Sequence, residues 1–146
     1  MGAIQNSLQG ALTASAMAIG AASKVIGDER SKSIAEGAEA VEKKPIAEGE
    51  LKEAEQGVLD QQFSRAKSEA ALHKAEAAIE KYGPASMTPN EKRFDAANER
   101  AAKAMSEIDA ANQALSELEG KIKARTEMIA RYEKAIKKGQ SWGGNY

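Results

Sequence analysis

The sequence of 146 residues predicts an all-α fold: a long antiparallel helical hairpin, or coiled coil, with a separate N-terminal helix rich in small residues. Three observations predict it. Ala, Glu, Lys, Gln and Arg dominate the composition; 42 % of residues are hydrophobic but 30 are alanine, so large side chains are too few for a rounded core. A strict seven-residue apolar repeat runs from Phe94 to Ile136. Between Tyr82 and Asn90, Gly83, Pro84 and Pro89 punctuate the chain where a hairpin turn would fall.

Residues 1–27 form the first expected element, an uncharged Ala/Gly-rich helix broken only by Lys24. Apolar and small residues recur three or four apart at Ile4, Leu8, Ala11, Ser15, Ile19, Ala22 and Ile26, with Leu12 beside them. Gly10, Ala14, Ala18 and Ala22 make a second, small-residue row that lets helix backbones approach closely. A secretory signal is a poor reading, because nothing basic precedes Ile4. A membrane span is diluted by Gln5, Asn6, Gln9, Thr13 and Ser15, and Asn6 breaks the myristoylation pattern that Gly2 would begin. Gly27 and Asp28 read as a helix stop followed by a new cap.

Residues 28–50 are acidic, with Gly37, Pro45 and Gly49 expected to interrupt the helix. Helix is more secure over 51–82, where Leu51, Val58, Leu72 and Ile79 share one register and Leu59, Phe63, Ala66, Ala70 and Ala77 form a neighbouring stripe. Residues 83–88 are the turn. Thr88 is expected to cap the next helix, with Pro89 at its first position and Glu91 completing a capping box.

The heptad helix spans 89–138. With Phe94 at position a, the series is Phe94, Ala101, Ile108, Leu115, Ile122, Ile129 and Ile136; position d holds Ala97, Ala104, Ala111, Leu118, Arg125 and Tyr132. Alanine at the first three d sites calls for a closely approaching partner. Both arms of the hairpin can cover each other only if the chain stays helical around Pro45; otherwise Ile122, Ile129 and Ile136 need another chain. Residues 139–146 read as a flexible tail whose Trp142 and Tyr146 would anchor in a partner's pocket or fold onto their own helices.

Chemistry is sparse. Without cysteine there are no disulfides, thiolate nucleophiles or Cys-ligated zinc, and His73, the single histidine, has no metal-spaced companion. Carboxylate pairs such as Glu36 with Glu39 are the default of a charged helix and lack an apolar pocket to shift their pKa. The reading is of a protein that is not an enzyme and takes no cofactor or metal. A net charge of -1, from 21 bases and 22 acids, offers nucleic acid no global attraction. The bases between Lys121 and Lys138 suit the C-terminal end of a helix dipole, so nucleic acid is not an expected partner.

Met1-Gly2-Ala3-Ile4 opening an uncharged Ala/Gly/Ser helix, followed by an Ala/Glu/Lys/Gln coiled coil, resembles the small virion-associated helical proteins of bacteriophages, of the pilot, ejection or tail- and portal-associated type. That resemblance, which covers the chain in style, implies a structural, oligomeric virion component. It would be made in the bacterial host cytoplasm, packed against portal, tail or capsid or ejected with the genome, and partnered by itself and other structural proteins. Two alternatives stand beside it: a membrane-active secreted protein or translocator that inserts its N-terminal helix, with transient membrane contact, and a cytoplasmic coiled-coil adaptor.

Overall fold

The computed structural model describes residues 2–146, and the side chains of residues 21–146. Two helices pack against each other: α1, Gly2–Tyr82, and α2, Glu91–Ser141. The all-α hairpin expected from the sequence is what the chain forms.

Several expected boundaries are not observed. The stop at Gly27 and Asp28 does not occur, so the N-terminal segment is not a separate helix but the start of α1. Nor do Gly37, Pro45, Gly49 and Gly57 interrupt α1. Glycine costs a helix only about 1 kcal/mol each, which covered neighbouring turns offset. Pro45 removes one backbone hydrogen bond, but it sits on the exposed side of α1, where the carbonyl left over is open to solvent rather than buried. Helix α2 also begins later and ends later than 89–138, because Asn90 supplies its cap and residues 139–141 remain helical.

The contacts divide the chain into two units, Ala47–Glu127 and Met1–Ile46 with Met128–Tyr146. In the first, the arms run antiparallel: Ser68 reaches Glu107, Gly57 abuts Leu118, and Glu50 pairs with Arg125. Its core is thin and made of small residues. From α1 come Ala47, Ala54, Ser68 and Ala75, on one seven-residue register in which half-buried Gln61 fills the gap; from α2 come Ala97, Ala101, Ala104, Ala111 and Leu115. Ala97 and Ala104 are only 0 % and 2 % exposed, so the two helices approach closely at these sites.

In the second unit Ser33, Gly37, Ala40 and Gly139 are buried, and Ile129, Tyr132, Ala135 and Ile136 are half-buried. Lys44 with Glu133 at 3.4 Å and Glu29 with Lys138 at 3.0 Å keep the antiparallel sense.

Candidate assembly surfaces

The surface of a two-helix protein is set by what its helices cover and where that cover ends. All seven a residues of α2 and its d residues, Ala97, Ala104, Ala111, Leu118, Arg125 and Tyr132, are buried or half-buried. The seam read from the heptad is therefore occupied by the chain's own α1. Ile122, Ile129 and Ile136 find cover within the chain, because α1 stays helical through Pro45. On α1 the register of Leu51, Val58, Leu72 and Ile79 faces inward and is half-buried, whereas the stripe of Leu59, Phe63, Ala66, Ala70 and Ala77 is exposed, Phe63 at 75 %. That stripe lies on the side of α1 away from α2.

Sequence reading passed over the residues that matter most on α1. Ala47, Ala54, Ser68 and Ala75 are its inward face in the first unit, and Ser33 and Ala40 in the second. A seven-residue recurrence of Ser and Ala was the available signal. Small residues here let the helices approach closely. A Cβ on Gly57 would come within 3.2 Å of the Leu118 side chain. Beside this seam lies an open groove of about 510 Å³ floored by Ala71, Ala75, Ala78 and Ala104 and rimmed by Lys74, Arg100 and Lys103.

At the turn, Asn90 rather than Thr88 caps α2: its Oδ1 accepts the Arg93 backbone N–H at 3.0 Å. Thr88 instead donates its hydroxyl to the Lys81 carbonyl at 3.0 Å, helping to close α1. Pro89 precedes the helix and Glu91 is its first residue, so the cap lies two positions later than expected, and Arg93, at the third helical position, takes the place where a capping box would need Glu or Gln. Arg93 donates to the Tyr82 hydroxyl at 2.9 Å and lies 5.2 Å from the ring centre; this bond, and the nearby positive charge, hold the phenol below its usual pKa of 10.0. Gly83 is required by packing, since a Cβ there would lie 2.9 Å from the Ile79 carbonyl oxygen and 3.5 Å from the Phe94 ring. Met87, at the tip of the turn, is fully exposed.

The C-terminal end is closed on the chain itself. Gly143, at φ 102°, follows α2, and the bonds from Gly144 N–H to Gly139 C=O and from Gly143 N–H to Gln140 C=O form a Schellman motif. This reversal sends Tyr146 back between α1 and α2, where Gly37 and Gly139 leave a notch that a Cβ at either position would close. The Tyr146 hydroxyl donates to the Ile34 carbonyl at 3.2 Å, Gln140 Nε2 donates to the Tyr146 carbonyl at 2.9 Å, and Arg30 Nε donates to the Trp142 carbonyl at 3.0 Å. Tyr146 is thus seated in its own chain rather than presented to a partner, and Trp142 is half-buried. Lys138, hydrogen-bonded to Glu29, pulls that carboxyl below its ordinary pKa of 4.5 and is itself raised.

Beyond this end α1 continues toward its N-terminus. Residues 21–28 are all exposed, including Ala22, Val25 at 67 % and Ile26 at 56 %. The side chains of Ile4, Leu8, Leu12, Ala14, Ala18 and Ile19 lie outside the described residues. Among the described residues no group of His, Asp and Glu is placed to hold a metal, and no helix is long and apolar enough to cross a membrane. No family of known proteins, no curated protein and no solved structure matches this chain.

Proposed function

We propose that this chain is a structural, oligomeric helical protein, and that its setting is a bacteriophage virion, where it packs against portal, tail or capsid components or leaves with the genome. It works by presenting helix faces to other subunits and has no catalytic chemistry. One observation carries the oligomeric part: the apolar repeat of α1 outlasts α2, leaving Val25 and Ile26 exposed at the point where the intramolecular cover ends. Exposed apolar surface of this kind marks assembly. The virion setting is supported by the resemblance in sequence style alone. Light scattering of the full chain across a concentration series tests the first part, and mass spectrometry of purified particles tests the second. A mass of one chain at every concentration, or absence from particles, removes the corresponding part.

A second reading, membrane activity, is favoured by the lack of any charge between residues 2 and 23. It requires that the chain release dye from vesicles and that Ala14→Glu or Ala18→Glu abolish the release.

A further inference from the structure

The seam that α1 presents to α2 continues past the end of α2. In the closed unit one side of that seam is a seven-residue series, Ser33 and Ala40, both buried. The same series runs backward through Ile26, which is exposed, and in the sequence through Ile19 and Leu12. Among the described residues, the contacts from the α2 side nearest the N-terminus are Lys138 on Glu29, the Trp142 carbonyl on Arg30 and Tyr146 on Ile34. About 27 residues of helix, roughly 40 Å at 1.5 Å per residue, precede that point. This register is thus continuous with an interface that the chain already makes, and in the sequence its residues grow larger toward the N-terminus, from Ala40 and Ser33 to Ile26, Ile19 and Leu12.

We infer that the N-terminal arm of α1 pairs with the same arm of a second copy, antiparallel, so that each arm takes up the line that α2 leaves at Arg30. The inference rests on the oligomeric reading above and names its interface. Residues 2–23 carry no charge, and Lys24 and Asp28 are the sole charges up to residue 28, so two arms meet without like-charge opposition. Orientation follows from sterics. A second α1 laid parallel on this seam would continue past residue 28 into the volume filled by Trp142, Tyr146 and the end of α2. Laid antiparallel, it brings its own first residues to the neighbourhood of Asp28 and stops short of Arg30. Such a pair is isologous and closed.

The test uses the full chain, which has no cysteine of its own, so single labels are clean. Spin labels at Ala21→Cys and, separately, Asp28→Cys occupy exposed positions. In an antiparallel pair centred near residue 15, each step of one residue away from the centre adds about 3 Å of axial separation, twice the helical rise. The Asp28 distance is therefore expected to exceed the Ala21 distance by about 15–20 Å, and Ile26→Glu is expected to reduce a two-chain mass to one. A two-chain mass with equal distances at the two labels, or one unchanged in Ile26→Glu, overturns the arm pairing and leaves the oligomeric reading standing. A one-chain mass at every concentration overturns both.

Discussion

Replacing Ala104 by leucine tests how closely the two arms approach. Ala104 is 2 % exposed and faces α1 across the seam, close to Ala71 and Ala75. Leucine adds three carbons at a site that α1 closes to solvent, forcing the helices apart or turning the new side chain off its rotamer toward the alanine-floored groove beside it. Overpacking of this kind costs about 1–3 kcal/mol. Ala102→Leu, on the exposed side of the same helix, makes the identical chemical change and should stay within about 0.5 kcal/mol of the parent. Urea denaturation followed by circular dichroism at 222 nm reads both, and the two slopes should agree if the unfolded states are alike. The sign decides the matter. A looser seam of ordinary leucine-zipper dimensions would gain from Ala104→Leu by burying more apolar area. Stabilisation by Ala104→Leu, or equal behaviour of the two variants, would refute close alanine packing.

Other consequences are checked in the same way. Gly37→Ala and Gly139→Ala should each eject Tyr146 from its notch, raising hydrogen exchange at residues 30–37 and 139–146 while leaving the Ala47–Glu127 unit unchanged. Pro45→Ala restores a helical hydrogen bond at an exposed position and should stabilise the chain by about 1–3 kcal/mol in the same urea experiment. Arg93→Met should move the Tyr82 phenol back up toward its ordinary pKa, seen in tyrosinate absorbance against pH; no movement would mean that the Arg93 bond is absent in solution. Because the folded-state pKa of Glu29 lies below 4.5, the pairing with Lys138 contributes above that pH and is lost as pH falls through the lowered value. The protection of amides near residue 30, with the intrinsic pH dependence of exchange divided out, should fall below pH 4.5 and with added salt, and less so in Glu29→Gln.

Much of the fold was legible in α2 because one helix of a tight pair supplies the bulk. Phe94, Ile108, Leu115, Ile122, Ile129 and Ile136 recur at a period that only a helix seam explains, and all of them are covered. The other helix supplies smallness, which hydrophobicity does not register. On α1 the louder signal, Leu59 and Phe63, is exposed, while the buried positions are Ala47, Ala54, Ser68 and Ala75. Punctuation misled for a related reason. Gly27 and Gly49 are weak breakers and Pro45 a stronger one, yet a long helix held by neighbouring turns continues through all three. Capping went to Asn90 because α2 starts at Glu91, two residues after the position that Pro89 suggested. The seat of Tyr146 depends on Gly37 and Gly139, which are about a hundred residues apart in sequence and meet only in the folded chain.

The central claim is that α2 covers the inward face of α1 from Glu29 onward and that Val25 and Ile26, before it, face a second copy. The molar mass of the intact protein, measured by light scattering at rising concentration, tests that most directly. A chain of 15.5 kDa should approach a mass of about 31 kDa, two copies. A mass that stays at 15.5 kDa throughout contradicts the account.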